Sequence, residues 1–447
     1  MAADEPQRAA APGNDAPMNA DVRIPDDIAR TVILAKAFAE DAPVHDAFRW
    51  LRANNPLGMA RVEGVYPFWV VSKHADILAI SRQNDLFRSG EMPTTFTTIE
   101  GDERVRKMTG GSPHLVRSLV QMDAPDHPKH RLLTQAWFLP RNIRRLEDRI
   151  RQIARAHVEH MAGLGGQCDF VNDVALTFPL RVIMEILGVP MGDEPRMLRL
   201  TQELFGAADP ELNRSRSAAE RPDGGDGLAD LQAVIADFFM YFKQITDDRK
   251  ANPGSDLATV IANSQIDGAP ISDFEAMSYY VIVATAGHDT TSSSTAGAIW
   301  GMCQFPEAFA EVKADASLIP GLIDEAIRWV TPVKHFMRSA TEATEIRGRA
   351  VAKGDWLMLC YPSGNRDEEV FDDPDLFRPA RRPNRHLAFG YGAHVCLGQH
   401  LAKLEMRILF EELMPRLKSL EFAGTPARAE AAFVGGPKRL PIRYTMA

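Results

Sequence analysis

The stretch FGYGAHVCLGQHLAKLE, Phe389–Glu405, sets one cysteine among glycines at the start of a helical pattern. Helical spacing begins at Leu397, so Cys396 falls where a loop meets a helix N-terminus. Backbone N–H groups are unpaired there, and the helix dipole favours an anion. A thiolate is stabilised at such a point. Gly390 and Gly392 permit a tight turn without side-chain bulk, and Gly398 permits close approach to the backbone.

Physics alone describes a held, accessible thiolate, which suits a nucleophile, a metal ligand or a haem ligand. The other cysteines, Cys168, Cys303 and Cys360, are scattered and form no CxxC pair. Neither a disulfide framework nor a zinc ribbon follows, and a reducing cytoplasm fits best. A zinc site on His394 and Cys396 lacks two further ligands at usable spacing. The chain has 447 residues, 45% hydrophobic and 25% charged, with a net charge of −9. That length admits one large helical core or two lobes around a cleft. The acidic balance argues against a general nucleic-acid binder. The acidic, Ala- and Pro-rich start has no apolar core, so residues 1–22 are expected to be a disordered tail rather than a signal or anchor. No apolar run reaches the roughly 18 residues a membrane span needs.

Most segments carry a helical period: Asp26–Ala39, Val44–Ala53, Leu146–Met161, Pro195–Phe205, Leu228–Asp248 and Ala276–Met302. Strand signals are few. Gly64–Ser72 is one, and Thr344–Leu359 reads as a hairpin turning near Lys353–Asp355. The chain is therefore expected to be mainly α with small β-sheets. Residues 88–120 and 208–227 are long connections of the kind that form lids or binding loops.

Three further motifs stand in order before or around the cysteine. Glu325 and Arg328 lie three apart on one helix face, followed by Asn365-Arg366-Asp367 and by Phe371–Arg381. Ala286-Gly287-His288-Asp289-Thr290-Thr291 interrupts an apolar helix with side chains that compete for backbone hydrogen bonds, so a local kink is expected. An acid beside a hydroxyl at such a kink can relay protons and hold water. His127 and Arg131 share a helix face four residues apart.

The pattern F-G-x-G-x-H-x-C-x-G at Phe389, Gly390, Gly392, His394, Cys396 and Gly398 resembles the haem-binding loop of the cytochrome P450 family. The likeness covers nearly the whole chain. Within soluble bacterial members it looks most like the subfamily of the α-terpineol hydroxylase, through Ile24–Leu34, Ala286–Ile299 and Phe433–Thr445. The resemblance implies one domain over 23–447, a triangular prism with haem b between a long central helix and the cysteine-loop helix. It implies Cys396 as axial thiolate, and Arg131, Arg338, His394 and His127 as donors to the haem propionates. Phe389, Gly390 and Gly398 would shape the haem loop. Glu325, Arg328 and Arg381 would form a bracing ionic triad, and Asp289 and Thr290 would deliver protons during oxygen activation. Phe96, Val283, Ala286, Val333, Phe336 and Met337 are expected at the substrate pocket, beneath a lid over 208–227. The implied activity is hydroxylation of a monoterpene or aromatic hydrocarbon with O2. Electrons would come from a [2Fe-2S] ferredoxin and its NAD(P)H-dependent reductase, docking on Lys129, His130, Lys403 and Arg407. A peroxide-driven peroxygenase would lack the need for the acid–alcohol pair. A non-enzymatic haem sensor would need an output module, and no basic helix-turn-helix segment is evident.

Overall fold

Asp273–Gln304 forms a continuous helix of 32 residues, about 48 Å long at 1.5 Å per residue. The computed structural model describes residues 22–205, 209–212 and 227–447. The expected N-terminal tail and most of the expected 208–227 lid therefore lie outside the described residues. The helix starts at a capping box in which Ser272 Oγ accepts from the Glu275 N–H at 3.2 Å. It packs against Thr177–Leu187 and Ile319–Val330. Its hydroxyls do not break it. Thr285, Thr290, Ser292 and Ser294 each donate to the carbonyl four residues back, at 2.7–3.0 Å. Their hydroxyl hydrogen bonds are thus spent within the helix, which runs continuously through this stretch.

Helices at Ala42–Asn54, Glu147–Gly163, Glu194–Phe205 and Gly227–Ala251 follow the sequence periodicity. The first expected helix is instead two, Asp26–Thr31 and Ala35–Glu40.

Five strands form the main sheet, in the order Leu57–Ala60, Phe68–Val71, Trp356–Cys360, His335–Ala340 and Phe87–Arg88. Only the Phe68–Val71/Trp356–Cys360 pair is parallel. The turn near Lys353–Asp355 does not close a hairpin with Thr344–Ile346. That strand pairs with Arg349–Val351 around Arg347-Gly348, and the later turn leads into Trp356–Cys360 in the main sheet. Period-2 alternation divides the sheet's side chains between two cores. Phe68, Val70, Met337, Trp356 and Met358 face one, and Trp69, Val71, Leu357 and Leu359 face the other. A larger core joins the helices.

The helix Ile319–Val330 carries Glu325 and Arg328, both with fully buried side chains. Glu325 accepts from Arg328 Nε and Nη2 at 2.8 and 2.7 Å, from Arg381 Nε at 3.1 Å and from the Arg378 N–H at 2.9 Å. Arg328 also donates to the carbonyls of Asn365, Pro374 and Leu376, so one guanidinium pins the whole 365–378 segment. Gly321 allows that segment in, since a Cβ there would collide with the Pro379 carbonyl. Burial alone would raise the Glu325 carboxyl, but Arg328, the Arg378 N–H and Arg381 hold it below its ordinary range. Replacing Glu325 by Ala leaves Arg328 buried and unpaired, an expected loss of about 3–5 kcal/mol in urea unfolding. Because the folded carboxyl titrates below the unfolded one, its contribution is complete above pH 4.5 or so and is lost as acid protonates the folded form. Glu325→Gln should accordingly blunt the acid-side fall in stability, and an unchanged pH profile would contradict this.

Candidate active site

Gly390 and Gly392, at φ of 67° and 72°, turn the chain so that the Cys396 N–H donates to the Phe389 carbonyl at 2.8 Å. A Cβ at Gly392 would strike the Ser81 carbonyl, so this turn requires glycine. The following helix begins at Gln399, with Gly398 as its N-cap. Burial pushes the Cys396 thiol up, while the backbone N–H groups of Gly398 and Gln399 and the Arg131 charge pull it down. Arg131 also fastens the loop by donating to the Val395 carbonyl at 2.8 Å. No protein atom lies within 4 Å of a Cβ built at Gly398. The open backbone there faces the cavity rather than another part of the chain.

Cys396, Phe389, Gly390 and Gly398 line a cavity of about 1530 Å³, part of it open to solvent. His127, Arg131, Arg338 and His394 line the same cavity. The two imidazoles lie 4.3 Å apart between ring centres. Burial, then Arg131, pushes His127 down to about 4; burial, then Arg338, pushes His394 down to about 2. Among the described residues His127 Nε2 is buried without a partner, and Arg338 donates only to its neighbour's carbonyl. Asp123, the nearby carboxylate, is taken up by the N–H groups of Ser89 and Gly90. This surplus of donors fits a ligand bearing carboxylates, and a haem with its propionates matches both it and the thiol. Among the described residues no group of His, Cys, Asp and Glu could hold a bare metal ion.

Thr290 lines the cavity from the central helix. Its hydroxyl proton goes to the Ala286 carbonyl at 2.7 Å, which leaves the oxygen lone pairs to accept from the cavity. Asp289 is not among the lining residues. Its carboxyl lies 3.6 Å from His288 Nδ1, with Oδ2 buried and unpartnered, and burial raises its pKa. His288 is itself fixed by the Leu176 carbonyl at 2.8 Å and by Thr201 at 3.0 Å.

Val283, Ala286, Val333 and Phe336 line the cavity, but Phe96 and Met337 do not. The reason is strand alternation. Phe336 and Arg338 share one face of their strand, and Met337 between them points to the opposite core. Phe96 stacks on Trp356 in that same core, with ring centres 6.4 Å apart. Sequence reasoning also passed over Glu405, a cavity-lining acid buried to 2% exposure. Burial raises its pKa well above the ordinary value, and Thr291 is its hydrogen-bonding partner. The signal was present, since Glu405 stands four residues from both Leu401 and Leu409 on the buried helix face.

Thiol loop, donor cluster and hydroxyl-bearing helix together define a haem-thiolate oxygenase site. The chain belongs to the cytochrome P450 family, whose model matches residues 99–422, and it is a haem-dependent monooxygenase. It is 50% identical over 430 residues to "Cytochrome P450-terp" of a Pseudomonas species, covering 96% of this chain and all of that one. Linalool 8-monooxygenase of Pseudomonas putida is 32% identical over 398 residues, covering 89% and 95%. The crystal structure of CYP108D1 from Novosphingobium aromaticivorans superposes with a TM-score of 0.87 at 46% identity, covering 95% of this chain and all of that one. Among the described residues no helix is long and apolar enough to cross a membrane.

Replacing Arg338 by Leu removes a charged donor from the cluster, worth about 1.5–3 kcal/mol. Transfer of haem from the holoenzyme to a haem scavenger should then quicken by roughly 10–100-fold. An unchanged rate would remove Arg338 from haem binding.

Proposed function

We propose that this enzyme, acting in the cytoplasm, hydroxylates a C–H bond of a small hydrophobic terpene. Cys396 would be the axial thiolate, and a [2Fe-2S] ferredoxin served by an NAD(P)H-dependent reductase would be the electron donor. The observation that carries the reading is one cavity walled by the Cys396 thiol, the donor cluster and the Thr290 hydroxyl. Bound haem supplies the iron on which dioxygen is reduced to an oxidant of C–H bonds.

The chain's own residues then have separable tasks. Arg131, Arg338, His127 and His394 bind and orient the macrocycle. Val283, Ala286, Val333 and Phe336 give the cavity wall an apolar lining that excludes water and holds a hydrocarbon. Thr290 accepts a hydrogen bond at the cavity surface, and the adjacent Asp289, whose carboxyl burial pushes up, is the proton source. The similarity to relatives named for terpene chemistry favours a terpene over an aromatic hydrocarbon.

The docking surface needs revision from the sequence expectation. His130 is buried and pairs with Glu275 at 3.2 Å. Lys129, Lys403 and Arg407 are matched by Asp267, Asp324 and Glu411 at 2.5–2.7 Å. Arg141, Arg144 and Arg145 are exposed and have no acidic partner among the described residues, and Arg144 borders the same groove as Lys403 and Arg407. They are the better candidates for an acidic ferredoxin.

Incubation with ferredoxin, reductase, NADH and isotopically labelled O2 should place one labelled oxygen in α-terpineol or linalool. Label-free product, or no product from any terpene, would refute the proposal. Thr290→Ala should divert reducing equivalents into peroxide and lower product per NADH by several-fold, and unaltered coupling would remove the hydroxyl from proton delivery. Reversing Arg141 and Arg144 to Glu should slow first-electron transfer at low salt and lose its effect at high salt. Equal rates at low salt would reject this surface.

A further inference from the structure

Apart from the active-site cavity, a small polar pocket lies where Asp41 and His45 meet the end of the Ile319–Val330 helix and the 428–437 hairpin. Asp41, His45, Lys334 and Arg428 line it, together with Trp329. Arg366 borders the cluster, donating from Nη2 to the Trp329 carbonyl at 3.0 Å, while its Nη1 is buried without a partner.

Charge in this cluster does not balance. Lys334, Arg366 and Arg428 face the single carboxylate of Asp41, which lies 3.2 Å from Arg428 Nε and 3.4 Å from His45 Nε2. Asp375 reaches Arg366 only from the outside, at 3.3 Å and half exposed. Arg428 packs over the rings of Trp300 and Trp329 at 4.2 and 5.5 Å; with Nε turned to Asp41, its Nη groups have no acceptor among the described residues. Lys334 donates to the carbonyls of Val330 and Thr331 at 3.0 and 2.9 Å, and the third hydrogen of its charged form has no acceptor among the described residues. Burial and the neighbouring Arg428 drive its amine down to about 7. Lys334 and Arg428 thus converge with donors to spare on a space holding little more than one water-sized particle. A water molecule would satisfy donors but neutralise nothing, and phosphate is too large.

We propose that this pocket binds a small monovalent anion of chloride size, held by Lys334 and Arg428, with the Arg366 charge beside it. The site backs directly on the wall of the active cavity. The Lys334 N–H donates to the Phe433 carbonyl at 2.7 Å, and Val333, paired with Val434, is one residue away. An anion there braces the segment that presents Val333 and Phe336 to the substrate.

Bromide is the probe. Crystals of the holoenzyme soaked in sodium bromide should give an anomalous peak between Lys334 Nζ and the Arg428 guanidinium. In solution, the unfolding midpoint should be about 2 °C higher in bromide than in gluconate at equal ionic strength, with no such rise in phosphate. Lys334→Met should abolish the difference; Arg428→Gln serves the same purpose should the first variant fold poorly. Absence of the anomalous peak overturns the proposal, as does a bromide response that survives both substitutions.

Discussion

A sulfur that must carry negative charge inside a largely closed cavity is the constraint around which this molecule is organised. Burial works against the Cys396 thiolate, and only local dipoles and one cation offset it: the N–H groups at the Gln399 helix start, and Arg131. Those groups have to be held in place from outside the loop. Gly392 seats the turn against Ser81, Arg131 ties Val395, and behind them the Glu325 cluster fixes the 365–378 segment and, through Asn384, the approach to the loop. The buried ion pair is costly to assemble, and its arginines convert that cost into many backbone hydrogen bonds. Stability and cofactor geometry therefore share one set of residues.

On the other wall the central helix meets a different demand. A helix buried almost all round has no need of hydroxyls, yet this one carries a run of them from Thr290 to Thr295. Thr290, Ser292 and Ser294 bond back to the carbonyl one turn earlier and so stay inside a continuous helix. Thr290 thereby reaches the cavity with its lone pairs free, and burial pushes up the carboxyl of the adjacent Asp289.

Much of this was legible in the chain. The cysteine loop, the Glu325–Arg328–Arg381 cluster and the cavity donors occupy fixed places in sequence motifs, and the structure gathers the donors into one space. The failures share a cause, which is that sequence spacing carries no orientation across elements. Phe336 and Met337 look alike as neighbours, but strand alternation sends them to opposite cores. His130 looks like a surface base until Glu275 of the central helix is found beside it. Glu405 went unnoticed because a charged residue in a helix is ordinarily solvated, although its spacing put it on the apolar face.

The account stands or falls on the bond between Cys396 sulfur and haem iron. Reduced holoenzyme under carbon monoxide should display the red-shifted Soret band of thiolate ligation. Cys396→His should lose that band while still retaining haem through Arg131, Arg338 and the histidine pair. A wild-type spectrum without the shifted band, or a Cys396→His variant that keeps it, would contradict the account.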